Sequence, residues 1–290
     1  MTENNNSSQE IPNPPEEEKS FFRIIIHSFF IIPFLIAVFC AVLFAGIYML
    51  TREQRSVYDY LEDIKIGGST KRWQGAFELS RILANPDLIP KEKRFTDELI
   101  SAFKHAKHDD HRTRQYIALA MGRTGNAEFA QPLIDGLKDE KDVNIPALIY
   151  ALGMLKQKES APVLYPYADH SDSRIRSIAI VALGTIAEPQ SKNILKKHLN
   201  DREPNVQWGA AVSLAQMDDS SGKAVLSQMM SRQYWMQFPE VDRSEQNNLI
   251  LTAINASGLL NDPELNAQIS EIAQTDPNMK VRAAAMDYLK

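Results

Sequence analysis

The sequence of 290 residues contains a single cysteine, Cys40, so it can form neither an intramolecular disulfide framework nor a multi-cysteine zinc site. It also has little net charge, with 32 Lys and Arg against 37 Asp and Glu. A slightly acidic chain lacks the concentrated basic surface that binds phosphate backbones, so we predict no nucleic-acid partner. Glycine and proline are scarce, at 12 and 15 residues, which excludes a collagen-like or linker-like protein.

The apolar residues are unevenly distributed along the chain. Between residues 24 and 50, 23 of 27 residues are apolar and none is Asp, Glu, Lys or Arg. A bilayer core requires roughly 20 apolar residues in a helix, whereas a cleaved signal peptide has an apolar region of about 7–15 residues before a small-residue site. Ile47–Leu50 at the exit shows no small-x-small pattern. We therefore predict a transmembrane helix over residues 21–50 that is retained as an anchor.

The segments beside this predicted anchor differ in composition. Residues 1–20 are mostly Asn, Ser, Pro and Glu, too polar to bury a core, and we predict a disordered tail. Two basic residues flank the amino side of the anchor and three flank the carboxyl side: Lys19 and Arg23, then Arg52, Arg55 and Lys65. Because basic residues favour the cytoplasmic side, this small excess predicts a single-pass membrane protein whose carboxyl domain is cytoplasmic.

Residues 69–290 repeat one helical pattern with a period near 31 residues. Thr113–Gly122, Ile145–Gly153, Ile175–Gly184 and Val206–Ala215 align, and their last residues lie 31 apart. Extending the alignment outward gives seven units, the last of them a single helix, and no run alternates as a strand does. Each unit has an alanine-rich first helix and then a second helix, and stacked neighbours supply the core that one pair lacks.

Particular residues predict where these helices begin and end. Three aspartates precede first helices at the expected N-cap position: Asp110, Asp142 and Asp172. Three glycines are expected to stop first helices in the left-handed conformation: Gly122, Gly153 and Gly184. Residues 51–68 are predicted to form a capping and linker helix, because Val57, Tyr60, Leu61 and Ile64 share one apolar face before Gly67 and Gly68.

The pattern I-R-x-x-A-x-x-A-L-G, followed by a turn and a second helix, is similar to the HEAT-like repeats of bilin lyase-type proteins. The resemblance covers residues 69–290 and is closest over Thr113–Ala215. It implies an all-α fold: a HEAT-like α-solenoid of about seven helix-pair units, preceded here by a single transmembrane helix. Such solenoids include scaffolds, lyases and hydroxylases, so the resemblance predicts the fold and leaves the function open.

The resemblance also directs the search for chemistry. Di-iron hydroxylases with these repeats carry His-Glu pairs, and none of the six histidines here precedes a Glu. His105, His108 and His111, with Asp109 and Asp110 among them, form the densest set of potential metal ligands. Their position between two helices favours a solvated, capped turn over a metal site. We therefore predict no catalytic, cofactor-binding or metal-binding residues and take Cys40 as an apolar filler.

Two insertions interrupt the regular spacing, at residues 88–94 and 232–240. Insertions in a solenoid form loops on one face, often the binding face. Tyr234, Trp235 and Phe238 in the second insertion are residue types enriched at interface hot spots, so we predict that they contact a partner. The alternative is that these three side chains pack locally within their own unit.

The favoured function is a membrane-anchored, non-catalytic scaffold that binds a protein partner, one candidate being a membrane complex. Stacked units form an extended concave face, which we expect the second helices to line, and the anchor raises the local concentration of the bound partner. Two alternatives stay open. One is a bilin lyase-like or other ligand-handling enzyme, which the resemblance alone suggests. The other is an assembly factor for a membrane complex.

Overall fold

The computed structural model describes residues 27–51, 55–138, 140 and 142–289. These residues form 15 α-helices joined by short 3-10 turns, and none of them lies in a β-strand, so the all-α prediction is confirmed. The chain divides into two compact units, Met1–Arg55 and Ser56–Lys290. The predicted tail over residues 1–20 lies outside the described residues.

The first unit contains one long apolar helix. A π-helical turn, His27–Ile31, leads into α1, Ile32–Thr51. The span Phe29–Met49 has 21 residues with a mean hydropathy of 2.8, and none of its most apolar stretch is buried inside the protein. Cys40 lies exposed within this span. The helix is long and apolar enough to cross a membrane, a property that a signal sequence near the amino terminus shares.

The second unit contains fourteen helices, most of which pair into repeat units. Their bounds are α2 Val57–Ile66, α3 Ser69–Ile82, α4 Lys93–His105, α5 His111–Arg123, α6 Ala130–Leu137, α7 Ile145–Leu155, α8 Ala161–Ala168, α9 Ser173–Ile186, α10 Ser191–His198, α11 Pro204–Gln216, α12 Lys223–Met230, α13 Arg243–Leu260, α14 Pro263–Thr275 and α15 Met279–Tyr288. The odd-numbered helices from α3 are first helices and the even-numbered helices from α4 are second helices. Six pairs and the half-unit α15 make seven units, as the period predicts, and α2 packs against α3.

The two helical layers are spaced differently. Each first helix packs closely along the next, whereas neighbouring second helices touch each other little. A two-layer array curves toward the layer whose helices are closer together, so the first helices line the inner side of this array. The expectation that second helices line the concave face was therefore wrong.

The glycines near the ends of first helices allow this close packing. Gly122, Gly153 and Gly184 lie inside α5, α7 and α9 and do not end them. A Cβ atom on Gly184 would lie 2.3 Å from Cβ of Ser213 on the next first helix. The left-handed residues come three positions later, with φ between 47° and 66°: Gly125, Lys156, Ala187, Asp218 and Asn261. The prediction that the glycines stop the helices was wrong, because their missing side chain serves contact between helices.

Two of the three predicted aspartate N-caps are confirmed. Asp110 and Asp172 each accept a hydrogen bond from the backbone N–H two residues later, at 2.9 and 2.8 Å. Asp142 is not an N-cap, because α7 begins after Asn144. The side chain of Asn144 donates to Glu140 instead of capping the helix. Pro146, the second residue of α7, lacks the N–H that an N-cap side chain would bind.

An arginine at one position of four first helices joins successive units. The four residues are Arg72, Arg114, Arg176 and Arg282. Arg176 donates to the carbonyl of His170, at the end of the preceding unit, at 2.9 Å, and to the Asp201 carboxylate at 2.9 and 3.0 Å. Arg72 and Arg114 make the same two kinds of contact, and Arg282 makes the carbonyl contact alone. We call these contacts the arginine bridges, and they hold the first helices in register.

Two carboxylates of the arginine bridges, Asp201 and Asp109, have lowered pKa values. Burial raises the pKa of Asp201, but hydrogen bonds from Arg176, the Glu203 amide and His198 outweigh that effect and hold the pKa at about 2. The Arg72 guanidinium likewise lowers the pKa of Asp109, against the effect of burial. The bridges to Asp201 and Asp109 therefore keep their charge at neutral pH.

Candidate partner-binding surfaces

The insertion between α12 and α13 folds into a compact aromatic cluster. A 3-10 turn, Tyr234–Gln237, places Trp235 in the core, where it is 1% exposed. Its indole N–H donates to the carbonyl of Met229 at 2.8 Å. The ring of Trp235 lies 4.9 Å from that of Trp208 and 5.9 Å from that of Phe238, measured between centroids.

The other two predicted contact residues belong to the same cluster. The hydroxyl of Tyr234 accepts a hydrogen bond from the indole of Trp208 at 2.9 Å, and its ring lies 5.2 Å from that of Phe238. Tyr234 and Phe238 are half-buried. Local packing thus accounts for much of the loop, and these two side chains are only partly accessible to solvent. Partner contact by the three residues stays a prediction.

An open groove of about 700 Å³ runs beside this loop. Its lining includes Arg232, Met236, Arg243 and Asn278. Met236 is 80% exposed, although its neighbour Trp235 is buried. Sequence reasoning missed Met236, because nothing in the residue types tells which side of a short 3-10 turn faces solvent.

A more extended apolar surface lies on the inner layer of first helices. Two positions of each first helix, three residues apart, point away from the second helices. In the first five units they carry mostly apolar side chains, which we call the apolar stripe: Phe77, Tyr116, Leu119, Ala147, Tyr150, Ile178, Val181, Gly209 and Val212. Phe77, Tyr150 and Val181 are 39%, 51% and 45% exposed. The sixth unit has Thr252 and Asn255 at these positions, where the stripe ends.

The apolar stripe is continuous from unit to unit. The rings of Phe77 on α3 and Tyr116 on α5 lie 5.2 Å apart. Four units along, Gly209 on α11 faces Val181 on α9, and a Cβ atom built on it would lie 3.5 Å from Val181 Cγ2. At both of these junctions the later residue of one unit lies next to the earlier residue of the next.

The helices that carry the middle of the stripe contain no acidic residue. Neither Asp nor Glu occurs within α5, α7, α9 or α11. The charges beside the stripe on these helices are basic, and Arg112 and Arg174 are paired with the N-cap residues Asp110 and Asp172. Arg123 and Lys156, at the opposite edge, form no ion pair within the described part of the chain.

The histidine-rich segment folds as a turn between α4 and α5. The Nδ1 atom of His105 donates to the carbonyl of Ser101 at 2.7 Å. The Asp109 carboxylate is held by Arg72, and Asp110 caps α5. Hydrogen bonds from the side chain and backbone of Arg112 hold the pKa of Asp110 at about 2. Both aspartates thus serve local structure, and the residues that the structure describes contain no group of three metal-ligating side chains.

Comparison with known proteins identifies the repeat. Residues 146–215 and 167–235 match the HEAT-repeat family. This part of the chain consists of HEAT repeats. No curated protein matches the sequence. Among solved structures, the complex of CpcE and CpcF of phycocyanin lyase from Nostoc sp. PCC7120 aligns with a TM-score of 0.59 and 19% identity, over 82% of this chain and 88% of that chain.

A second solved structure supports the same fold. The Escherichia coli protein YibA aligns with a TM-score of 0.50 and 17% identity, over 84% of this chain and 85% of that chain. Identities this low establish the architecture and carry no information about function. The HEAT-like solenoid expected from the sequence, and its likeness to bilin lyase-type repeats, are confirmed.

Proposed function

We propose that this protein is a membrane-anchored, non-catalytic scaffold that binds a protein partner on the inner face of its HEAT array. The observation that supports it is the apolar stripe. Exposed apolar residues scattered singly are normal on a soluble domain, but a contiguous row marks an interaction surface. The stripe crosses five units and includes Tyr150, which is 51% exposed.

The proposal includes the anchor and its orientation. The apolar span Phe29–Met49 crosses the membrane once, and the three-to-two excess of basic residues on its carboxyl side keeps the HEAT array in the cytoplasm. Confinement to the membrane raises the effective concentration of a membrane-bound partner, so modest affinity suffices for capture. A membrane complex is the kind of partner that benefits most.

The aromatic loop is proposed as a second, smaller contact. Tyr234 and Phe238 are partly exposed, and Met236 beside them is largely exposed. Trp235, which is 1% exposed, supports them from within the core. The loop therefore adds a local contact to the stripe and does not replace it.

The ligand-handling and assembly-factor alternatives make different demands. A ligand-handling enzyme needs an apolar pocket with convergent polar groups. The groove beside Met236 is open and lined largely by Arg, Gln and Asn side chains, which favours the scaffold. An assembly factor would use the same surfaces with a shorter residence time on its partner.

Capture from detergent-solubilised membranes tests the proposal. We expect the double variant Tyr150→Asp/Val181→Asp to recover at least about tenfold less partner than the wild type, because buried charge opposes apolar contact. Met236→Ser should cost less, and Asn193→Asp, on the exposed face of the second helix α10, should cost nothing. Equal recovery by all four proteins, or recovery of a bound pigment in place of a protein, would contradict the scaffold.

A further inference from the structure

We infer that the apolar stripe binds an amphipathic α-helix of the partner whose apolar face is flanked by acidic residues. This inference rests on the proposed function, since it specifies the partner that the inner face accepts. It follows from three properties of the stripe, which are its width, its charge surroundings and the direction in which the array curves.

The stripe is narrow enough for one helix. It comprises at most two positions per unit, three residues apart, and Phe77 of the first unit contacts Tyr116 of the second. Polar residues bound it on both sides, including Gln115 toward the start of the first helices and Thr185 and Gln216 toward their ends. A single helix buries one apolar stripe between polar flanks, so its width matches this surface.

The charges around the stripe determine which charged residues can flank the apolar face of the bound helix. Four consecutive first helices, α5, α7, α9 and α11, contain no Asp or Glu. Arg123 donates to the carbonyl of Ser80 and has no carboxylate partner in the described chain, and Lys156 likewise has none. Acidic flanks on the part of the bound helix beside α5 and α7 would meet these cations, whereas basic flanks there would be repelled. Asp218 holds the repeat position of Lys156 two units along and ends this basic edge.

Curvature distinguishes a helix from a bilayer. A lipid surface also suits apolar side chains beside basic residues. However, the first helices are closer to one another than the second helices are, so the stripe lies on the inner side of the array. A flat bilayer would meet the ends of the array before its middle, where Tyr150 and Val181 lie. A helix laid along the inner face reaches all five units.

Binding of two matched peptides tests the inference on the full chain in zwitterionic nanodiscs, with empty nanodiscs as the blank. Both fluorescent peptides are about 20 residues long, with Leu at helical i, i+3, i+4 and i+7 positions; one has Glu flanks and the other Lys flanks. We expect the Glu peptide to bind at least about tenfold more tightly. Tyr150→Asp/Val181→Asp should abolish this binding, and Asn193→Asp should leave it unchanged.

A charge reversal makes the test more specific. Lys156→Glu should shift the preference toward the Lys peptide while the unfolding transition stays in place. Equal affinity for both peptides, or binding that survives the stripe variant, would overturn the inference. Loss of binding to phosphatidylserine vesicles in the stripe variant, with no peptide binding, would assign the surface to lipid. If the peptides fail but partner capture still depends on the stripe, the scaffold stands and only the acidic helix is wrong.

Discussion

The aromatic loop and the apolar stripe use apolar residues in opposite ways. The loop contains Trp235, which is 1% exposed, and stacks it against Trp208. The stripe also contains aromatic residues, yet its Tyr150 and Val181 are 51% and 45% exposed. Trp235 thus stabilises the fold, and Tyr150 and Val181 are available to a partner. Residue type alone does not separate these roles, because stacking of neighbouring units decides which side chains are covered.

Because the loop buries its tryptophan and the stripe exposes its side chains, we expect substitution of the loop tryptophan to have the largest effect on stability. Trp235→Ala should lower the free energy of unfolding by about 3–5 kcal/mol, because it empties a core position and removes the hydrogen bond to Met229. Met236→Ala, one residue along the same turn, should change it by no more than about 0.5 kcal/mol. Urea unfolding followed by circular dichroism measures both variants. Similar losses for the two would show that the turn packs differently from this account.

We expect a smaller effect on stability from the arginine bridges, which hold the helices that carry the stripe in register. The ordinary pKa of Asp201 is 3.8 and falls to about 2 in the folded protein, so its bridge to Arg176 stabilises the fold above about pH 4. This contribution, about 2 kcal/mol, should be lost as the pH falls from about 4 to about 2, where Asp201 becomes protonated.

The Asp201→Asn variant separates the contribution of Asp201 to stability from that of the other acidic residues that titrate in the same pH range. The difference in unfolding free energy between wild type and variant should be steady from neutral pH to about pH 4 and then shrink toward pH 2. A difference that stays constant over this range would mean that the carboxylate of Asp201 is not held by its partners as described. Asp135, exposed on α6, offers a matched control at which Asp→Asn should produce a much smaller change.

The sequence predicted the repeat well, because a period of 31 recurs wherever units must stack in the same way. It misassigned the glycines, since a glycine at a helix end and a glycine at a helix crossing look the same in one sequence. Gly184 fits the second case, as only a missing Cβ allows Ser213 so close. The left-handed positions were missed because Lys156 and Ala187 are not residues that favour that conformation.

The candidate site was harder to predict than the fold. Tyr234, Trp235 and Phe238 stood out by residue type, but burial of Trp235 depends on Trp208 from another helix. The stripe was only weakly visible in the sequence. Tyr150 and Val181 occupy the same position of the repeat, but the repeat alone does not tell which side of the first helix that position faces. The first helices lie closer to one another than the second helices do, and this spacing identifies the side of the array on which the position lies.

The most direct measurement is position-specific photo-crosslinking in intact membranes. A photoreactive residue is placed at Val181 on α9 or at Asn193 on α10, which belong to the same HEAT unit and differ in the layer they occupy. The account predicts a protein adduct of defined mass from position 181, its loss when Tyr150→Asp is added, and no such adduct from position 193. An adduct from position 193 alone, or only lipid adducts from position 181, would contradict the claim that the inner stripe binds a protein.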